Sequence, residues 1–344
     1  MNHMRVLNVG VIGCGAIADL IHLPAYREIP EANVIAVCDV NKRRAMETAR
    51  KYHIKTWYAD YEKLLERKDI EAVSICTPNF LHCEQAVRAA GAGKHVLLEK
   101  PMAITLKECD SIINACQRAH VKLMVGHNER FNPVYEKIKK IVDSGCIGRI
   151  FQIRLHVSYS GYAEWPSVTE WFFDPSKCGG GCLIDAGVHH LDVIRWLVGD
   201  VISVFAIVGS LKRGRAEDMA MVMLTFKDAI GEFDVNWNYS GLEQSTEILG
   251  REGGVFFRRP ESPISIYREK QASTVLKGSI SPELPVEMAE TIAYQKKKIK
   301  HFVNAILLGE EPLITGRDGR ATVEIVLAAY KSAKTGNIVK LPLE

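Results

Sequence analysis

The first 127 residues alternate short apolar runs with amphipathic segments. The runs are apolar on both faces and lie at residues 5–12, 33–39, 71–76, 95–99 and 121–126. Strands that are buried on both faces and separated by single helices are typical of parallel sheets joined by helical crossovers. The pattern therefore predicts a doubly wound α/β domain. Thr105 and Glu108 have the spacing of a capping box and predict a helix over residues 106–119.

The pattern changes after Asn128. A helix is predicted over residues 133–144, and long alternating segments then predict strands at residues 149–160, 201–210, 218–226 and 229–240. Long strands with few helices between them favour a large, mostly antiparallel, open sheet with one covered face. Helical patterns over residues 286–308 and 319–335 close the chain. We therefore expect an α/β domain over residues 1–128 and an α+β domain over residues 129–344.

The composition fits a two-domain globular protein of 344 residues, at roughly 150 residues per domain. The formal charge is only +3, which gives no reason to expect nucleic acid as a partner. No apolar run is long enough to span a membrane, and no signal peptide is apparent. Nine scattered cysteines predict reduced thiols in a cytoplasmic protein. A basic run over residues 296–300 is interpreted as a solvated helix face.

The turn after the first predicted strand has the pattern G-x-G-x-x-A, formed by Gly13, Gly15 and Ala18. In such a turn the first glycine permits a tight bend, and the second lets the backbone approach a pyrophosphate. The small third residue lets the helix pack on the strand. Backbone N–H groups at the helix start, at Ala16 and Ile17, then hold the anion. The turn predicts a dinucleotide site.

Asp39 at the end of the second predicted strand strengthens this prediction. A carboxylate there accepts hydrogen bonds from the adenosine ribose and repels a 2′-phosphate, so we expect NAD rather than NADP as the cofactor. Lys42, Arg43 and Arg44 follow closely. They are interpreted as a solvated helix start, and contact of one of them with a phosphate remains the alternative.

Polar residues follow three further strands at the carboxyl edge of the predicted sheet, where ligands bind. Thr77 and Asn79 follow one strand and serve either as helix caps or as cofactor contacts. Lys100 lies between Glu99 and Pro101 after the next strand, where a lysine has no capping purpose. The proline favours a cis bond that would fix the direction of the lysine. The last strand ends in Gly-His-Asn.

A run of three glycines precedes the strongest chemical signal in the chain. Asp185 and His189 are four residues apart and share one face of a predicted helix, with Asp192 further along the same stripe. A histidine beside a carboxylate is an oriented general base, whereas a satisfied core histidine is the alternative. Cys178 and Cys182 are zinc-type ligands, but their spacing lacks a second pair, so no metal is predicted.

Five motifs taken together resemble the Gfo/Idh/MocA oxidoreductases, relatives of glucose–fructose oxidoreductase and inositol 2-dehydrogenase. They are GxGxxA with Asp39, TPNxxH, EKP, GHNxRFNP and GGGxxxDxGxHxxD, and they span nearly the whole chain. The resemblance implies an N-terminal Rossmann domain and NAD(P)-dependent oxidation of a sugar or cyclitol hydroxyl. It also implies a C-terminal open sheet that often mediates oligomers, so we expect a homodimer or homotetramer.

The resemblance also assigns a catalytic set. The lysine of EKP and the aspartate and histidine of DxGxH correspond to Lys100, Asp185 and His189. We interpret His189 as the proton acceptor, Asp185 as its orienting partner and Lys100 as the donor that holds the substrate oxygen. All three are present, which favours a catalytic member over a degenerate one.

Further residues are assigned by the same resemblance. Asn79 and His82 are expected to line the nicotinamide, and Glu99 is expected beside the nicotinamide ribose. Asn128 is a candidate substrate contact. An aromatic loop over residues 159–173 either covers a sugar by stacking or serves subunit contact and packing. Its candidate stacking residues are Tyr162, Trp165 and Trp171.

Two other functions remain open from the sequence. The first is an NAD-dependent glycosidase, in which oxidation at one carbon acidifies the next proton, elimination follows and the cofactor ends unchanged. The second is a regulator that senses a sugar or nucleotide without catalysis, which the intact Lys100, Asp185 and His189 disfavour. The individual sugar or cyclitol is not predicted, because specificity depends on a few loop hydrogen bonds.

Overall fold

A computed structural model of the protein describes residues 5–160, 170–211, 216–259, 264–268, 271–276 and 286–343. The chain divides into two compact units. The N-terminal unit comprises Met1–Asn128 and Glu287–Arg320, and the C-terminal unit comprises Glu129–Val286 and Ala321–Glu344. The predicted domains place residues 287–320 in the second domain, whereas their contacts group them with the first.

The N-terminal unit is built on a parallel sheet. Its strands are β1 (Leu7–Ile12), β2 (Ala32–Cys38), β3 (Thr56–Tyr58), β4 (Ala72–Ile75), β5 (His95–Leu98) and β6 (Leu123–Val125). Their spatial order is β3-β2-β1-β4-β5-β6, and each neighbouring pair is parallel. The direction of winding reverses between β1 and β4, where doubly wound sheets bind nucleotides beyond the strand ends. The predicted α/β class is confirmed, and the short edge strand β3 is the one that the hydrophobic pattern did not indicate.

The helices follow the predicted order closely. They are α1 (Leu23–Arg27), α2 (Lys42–Lys51), α3 (Tyr61–Leu65), α4 (His82–Gly91), α5 (Leu106–Arg118), α6 (Pro133–Asp143), α7 (Pro175–Cys178), α8 (Val188–Val198), α9 (Val286–Leu307) and α10 (Gly316–Thr335). Wider π-helical turns, Ala18–His22 and Leu183–Gly187, lead into α1 and α8. The capping box before α5 is confirmed, since the backbone of Glu108 donates to Thr105 Oγ1 at 3.2 Å. Among the described residues, none of the helices is both long and apolar enough to cross a bilayer.

The C-terminal unit is built on a second, larger sheet. Its described strands are β7 (Ile150–Ser160), β8 (Ser203–Gly209), β9 (Met219–Thr225), β10 (Ile230–Asn236), β11 (Asn238–Gly250), β12 (Gly253–Arg259), β13 (Ile264–Arg268), β14 (Gln271–Leu276) and β15 (Val339–Lys340). Their order is β14-β13-β12-β11-β7-β10-β9-β8-β15. Every described pair is antiparallel except β7 with β10, so the predicted mostly antiparallel sheet is confirmed.

One face of this second sheet is covered by helices. Leu155 of β7 and Phe233 of β10 belong to one buried cluster with Ile138 of α6, Leu191 of α8 and Val326 of α10. Alternate residues of each strand point to this core because side chains alternate between the two faces of a sheet. α8 therefore lies against the sheet along its apolar side. The turn before it carries Asp185, and its own first turn carries His189.

Candidate active site

The glycine turn after β1 has the geometry that a phosphate loop needs. Gly13 has φ of 91°, and a Cβ there would lie 2.6 Å from the carbonyl oxygen of Cys76. A Cβ on Gly15, in contrast, would meet nothing within 4 Å. The following helical segment begins at Ala16, and both Ala16 and Ile17 are half-buried. The loop is therefore tight at the first glycine and open at the second, where a pyrophosphate approaches in such turns.

Asp39 lies immediately after β2 with its carboxylate buried beside this loop. Its Oδ2 accepts from the backbone N of Cys14 at 3.0 Å, and its Oδ1 accepts from the backbone N of Asn41 at 2.8 Å. Arg44 Nη1 lies 3.3 Å from the same Oδ2, with its own side chain about half exposed. The carboxylate is thus held in one orientation, and Arg44 is the basic residue of the three candidates that pairs with it.

His82 joins two of the loops at the carboxyl edge of the sheet. Its Nδ1 lies 2.8 Å from the carbonyl oxygen of Pro101, and its Nε2 lies 2.9 Å from that of Thr77. Burial lowers the pKa of this ring. Thr77 donates its hydroxyl to Gln85, and neither Thr77 nor Asn79 occupies the helix cap, which is Pro78. Pro78 holds the cap position and Asn79 begins the turn Asn79–Leu81. The cofactor contacts of Thr77, Asn79 and His82 stay predictions.

Glu99 forms the centre of a buried charged cluster. Its Oε1 accepts from Lys298 Nζ and from His22 Nε2, both at 2.9 Å, and its Oε2 lies 3.3 Å from the backbone N of Lys100. Burial alone would raise the Glu99 pKa, but Lys298 and His22 outweigh it and hold that pKa well below its usual range. Burial lowers the pKa of His22. Contact of Glu99 with a nicotinamide ribose stays a prediction.

Lys298 corrects the interpretation of the basic run as a solvated face. Its side chain is 1% exposed, and Nζ donates to Gly126 O at 3.3 Å as well as to Glu99. A lysine at this depth is stabilised by pairing with a carboxylate, because an unpaired buried charge is costly. The sequence offered no local signal for this partner.

Lys100 and Asn128 lie at the ends of neighbouring strands β5 and β6 in the N-terminal unit. Lys100 is half-buried, and its peptide bond to Pro101 is cis. Asn128 is buried and is the last residue of the first segment of this unit. The role of Lys100 in catalysis and the contact of Asn128 with substrate stay predictions.

Asp185 and His189 lie one turn apart where a π-helical turn passes into α8. Asp185 is buried, within Leu183–Gly187, whereas His189 is half-buried in the first turn of α8. Wider turns of this kind occur frequently at functional sites, because they change the direction of side chains along a helix. The structure thus places the predicted acid–base pair on consecutive turns of one continuous helical segment.

The three glycines before this segment allow close approach of other parts of the C-terminal unit. Gly179 and Gly180 have φ of 92° and 153°. A Cβ on Gly180 would lie 2.0 Å from the hydroxyl of Tyr330, and a Cβ on Gly181 would lie 1.9 Å from the carbonyl oxygen of Glu217. Only glycine fits at these two positions. The backbone is therefore closely approached at these glycines, by Tyr330 and Glu217.

The neighbouring residue His190 is the core histidine of the pair. Its ring is buried and stacked on Phe233, with ring centroids 6.1 Å apart. Its two nitrogens lie 3.3 Å from Ala186 O and from Gln244 Nε2, respectively. Burial lowers its pKa, so this ring is neutral. The buried core histidine of this helix is thus His190, whereas the alternative weighed from the sequence concerned His189, which is half-buried.

Asp192 has a structural partner of its own. Arg130 donates to its two carboxylate oxygens at 2.6 and 2.7 Å, and the two side chains are 5% and 0% exposed, respectively. A bidentate buried pair of this kind fixes the position of α8 against the segment that carries Arg130. Sequence reasoning placed Asp192 on the catalytic stripe and did not identify Arg130, which lies 62 positions earlier.

The two cysteines considered as zinc ligands donate to backbone oxygens. Cys178 Sγ lies 2.7 Å from Gly180 O, and Cys182 Sγ lies 3.7 Å from Val235 O. Burial raises the pKa of both thiols, which disfavours the thiolate that a metal needs. Within the described ranges, the side chains form no group of three or more metal ligands.

Only part of the aromatic loop is described. Tyr162 and Trp165 lie outside the described residues. Trp171 belongs to a single helical turn, Glu170–Phe173, and contacts Phe172 edge-on at 5.6 Å between ring centroids. Phe172 in turn stacks on Trp237 at 5.9 Å. This end of the loop therefore packs within the C-terminal unit, and substrate contact by Trp171 stays a prediction.

Family models match both parts of the chain. Residues 7–127 match an oxidoreductase family described as an NAD-binding Rossmann fold, and residues 135–256 match a GFO/IDH/MocA C-terminal domain. The chain belongs to the GFO/IDH/MocA oxidoreductase family. The resemblance inferred from the five motifs is confirmed, as is the Rossmann class of the N-terminal unit.

Several relatives in this family are similar over their full length. A myo-inositol 2-dehydrogenase of Thermotoga maritima is 29% identical over 97% of this chain and 98% of its own. A levoglucosan dehydrogenase of Pseudarthrobacter phenanthrenivorans is 31% identical over 98% of this chain and 99% of its own. A solved levoglucosan dehydrogenase in complex with NADH and L-sorbose has a TM-score of 0.89, with 27% identity over 99% of this chain and 100% of its own.

The residues of this GFO/IDH/MocA oxidoreductase fit NAD. The space at Gly15 admits a pyrophosphate, the helix start at Ala16 offers backbone N–H groups, and the fixed carboxylate of Asp39 provides acceptors for ribose hydroxyls. These three features lie at the carboxyl ends of β1 and β2, next to the reversal of strand order. The cofactor is therefore NAD, as predicted for this family.

Proposed function

We propose that this enzyme oxidises a secondary hydroxyl of a sugar, a sugar derivative or a cyclitol with NAD as the hydride acceptor. One combination of residues supports this proposal most directly. The N-terminal unit has an open phosphate loop beside a fixed Asp39, and the C-terminal unit has Asp185 and His189 on consecutive turns. The relatives named for myo-inositol and levoglucosan support a polyhydroxylated substrate.

His189 serves as the general base in this proposal. Oxidation of an alcohol needs an acceptor for the hydroxyl proton while hydride leaves the same carbon. An imidazole is suited to this role because its ordinary pKa lies near neutral pH. Asp185, one turn earlier and buried, orients the ring and stabilises the imidazolium after proton transfer. His189 is half-buried, whereas the buried ring of His190 is held in the core.

Lys100 is proposed as the donor to the substrate oxygen. A cationic ammonium that donates to the hydroxyl oxygen stabilises the developing alkoxide and lowers the pKa of the hydroxyl. The backbone N of Lys100 contacts Glu99, which anchors the residue beside the buried charged cluster. Bound NAD supplies the hydride acceptor. In the direction of reduction, His189 returns the proton.

The proposal includes a preference for NAD over NADP. Asp39 presents a negative charge at the position where a 2′-phosphate would lie. Arg44 reduces this repulsion because it pairs with the carboxylate at 3.3 Å. We therefore expect a preference for NAD that depends on both side chains.

We also propose a homo-oligomer, a dimer or a tetramer, formed through the open face of the second sheet. Four apolar side chains on that face are each more than half exposed: Ile207, Met221, Met223 and Ile230. They lie on the adjacent strands β8, β9 and β10. Contiguous exposed apolar surface of this kind marks protein interfaces. Light scattering should give a mass of two or four chains, and the double change of Met221 and Met223 to glutamate should reduce it.

The expectation of a cytoplasmic protein rests on the thiols. All nine cysteines lie among the described residues, and none of them forms a disulfide bond. Reduced cysteines are typical of proteins in the cytosol, where thiols are kept reduced.

The function is tested by measuring NADH formation with a panel of inositols, aldoses, anhydrosugars and UDP-sugars. A sugar- or cyclitol-dependent release of NADH supports the dehydrogenase. We expect His189→Ala and Lys100→Met each to lower turnover at least about 100-fold while cofactor affinity is retained. Near-normal turnover in either variant would refute the role assigned to that residue.

The same panel distinguishes the two alternatives. Cleavage of a chromogenic glycoside without accumulation of NADH would identify the oxidation–elimination glycosidase. Binding of a sugar without any redox signal, measured with the same protein by calorimetry, would identify a regulator. Either outcome would overturn the dehydrogenase proposal.

A further inference from the structure

The start of the helical segment that carries Asp185 and His189 is held by one carboxylate. Oε1 of Glu217 accepts from the backbone N of Gly181 at 2.8 Å and from that of Leu183 at 3.2 Å. The carbonyl oxygen of Glu217 also accepts from the backbone N of Cys182 at 2.9 Å. Three consecutive backbone N–H groups at a helix start thus share one residue as their partner.

Tyr330 of α10 completes this arrangement. Its hydroxyl donates to the same Oε1 of Glu217 at 2.7 Å, and the hydroxyl occupies the space beside Gly180 that a Cβ would need. Burial and the neighbouring Glu217 raise the pKa of Tyr330 well above its usual value, so the hydroxyl stays protonated as a donor. We call Glu217 and Tyr330 together the glycine clamp.

The clamp holds the start of the helical segment that sets the directions of the Asp185 and His189 side chains. The clamp holds the residues just before the turn Leu183–Gly187 and the first residue of that turn, which contains Asp185. His189 is the second residue of α8, which follows directly. A carboxylate at the positive end of a helix is electrostatically favourable and satisfies N–H groups that have no partner within the helix. A shift at this start would displace Asp185 and His189, because both are carried on the same continuous helical backbone.

We propose that Glu217 and Tyr330 are positioning residues for the Asp185–His189 pair. Neither is expected to touch the substrate. Each acts by fixing the helical turn from which the general base and its partner project. This inference rests on the proposed dehydrogenase function, in which Asp185 and His189 carry the proton transfer.

The test compares four variants of the full-length enzyme with the substrate identified above. Glu217→Ala removes the acceptor, and Glu217→Gln keeps an oxygen at the same place but removes the charge. Tyr330→Phe removes the hydroxyl donor alone. Asp218→Asn is the matched control, because the neighbouring Asp218 is also buried but accepts from Leu211 and Asn238.

We expect Glu217→Ala to lower kcat about 10- to 100-fold, since displacement of a catalytic group by about 1 Å costs up to that much. The KM for NAD should stay unchanged, because the phosphate loop belongs to the other unit. Glu217→Gln should retain most of the wild-type kcat. The kcat of Tyr330→Phe should lie between those of Glu217→Ala and Glu217→Gln. kcat is calculated per folded site, and the number of sites is measured by NADH binding. A loss of folded protein alone therefore does not lower the measured kcat. The control should keep kcat.

Three results would overturn the inference. The first is that Glu217→Ala has the same kcat per folded site as the wild type. If that variant does not fold, the corresponding result is a wild-type kcat in both Tyr330→Phe and Glu217→Gln. The second is that kcat of Glu217→Gln is no higher than that of Glu217→Ala, and the third is that Asp218→Asn loses as much kcat as Glu217→Ala. His189→Ala separates this failure from failure of the proposed function. If that variant is inactive while the clamp variants are fully active, only the positioning role is refuted.

Discussion

Lys298 and Glu99 are 199 positions apart in the chain, yet Lys298 Nζ lies 2.9 Å from Glu99 Oε1. The two side chains are 1% and 10% exposed, respectively. The pair therefore ties α9 to the end of β5, beside the candidate catalytic Lys100. It also gives a physical reason for the grouping of residues 287–320 with the N-terminal unit, because the carboxylate buried there needs this cation.

Replacement of Lys298 by methionine should destabilise the enzyme strongly. Loss of one partner from a buried ion pair costs about 3–5 kcal/mol, because the other charge is left uncompensated. The Glu99 pKa is lowered in the folded protein, so its contribution to stability is present above its unfolded pKa of about 4.3 and is lost as pH falls through the folded pKa. The difference between wild type and Lys298→Met should therefore be largest at neutral pH and shrink on acidification.

Urea denaturation at pH 7 and at about pH 4 measures this difference. Lys300→Met is the matched control, since Lys300 lies on the same helix with an exposed side chain. A Lys298→Met variant as stable as this control at pH 7 would contradict the importance of the pair.

The two glycines of the phosphate loop should respond differently to alanine. Gly13→Ala places a Cβ against Cys76 in a backbone conformation that disfavours side chains, so the protein without cofactor should lose thermal stability. Gly15→Ala meets open space and should keep that stability, but its Cβ enters the region that the pyrophosphate approaches. Its affinity for NAD should fall.

Thermal unfolding without cofactor and a titration with NADH separate the two effects. The expected pattern is reduced stability for Gly13→Ala and weakened NADH binding at normal stability for Gly15→Ala. An unchanged NADH affinity in Gly15→Ala would show that the pyrophosphate does not approach this residue.

Cofactor preference should depend on Asp39 and Arg44 in opposite ways. Asp39→Ser removes the acceptor for the ribose hydroxyls and the repulsion of a 2′-phosphate, while Arg44 remains to bind that phosphate. A hydrogen bond to a charged group is worth about 1.5–3 kcal/mol, so the KM for NAD should rise about 10-fold or more and that for NADP should fall. In the double variant Asp39→Ser and Arg44→Ala, the gain with NADP should be lost.

Steady-state kinetics with both cofactors at several concentrations test this expectation. If the wild-type enzyme already prefers NADP, the proposal that Asp39 selects NAD is wrong. An equal NADP activity in the single and double variants would show that Arg44 does not contact the phosphate.

The buried pair of Arg130 and Asp192 should show strong coupling. Arg130→Met and Asp192→Leu each leave one buried charge without its partner, at a cost of about 3–5 kcal/mol. The double variant leaves neither charge and should be less destabilised than the sum of the two single variants. A double-mutant cycle measured by urea denaturation provides the coupling energy. Additive single effects would indicate that the pair contributes little.

Much of the fold was predictable because its signals are local. The alternation of buried strands and helices indicated β1, β2, β4, β5 and β6, and the capping box placed the start of α5 within one residue. The strands β11 to β15 were missed, since their segments lack the clean alternation of β7 or β9. The edge strand β3 was missed as well, because three residues are too few to show a period.

The candidate site divides in the same way. The residues of the phosphate loop, Asp39, Lys100, Asp185 and His189 were named from the sequence, because each belongs to a short motif in which spacing carries the chemistry. The contacts that hold these residues in place were not predicted from the sequence. Lys298, Arg130, Glu217 and Tyr330 have no motif of their own, and each meets its partner from a distant part of the chain.

The order and type of most elements, the nucleotide loop and the candidate acid–base pair could therefore be predicted from local patterns in the chain. Three features became visible only after folding: which of two adjacent histidines is a core residue, which lysine of a basic run is buried, and that residues 287–320 join the N-terminal unit. Periodicity, capping and turn geometry act over a few residues, whereas the burial and pairing of a charge depend on the surfaces that meet when the chain folds.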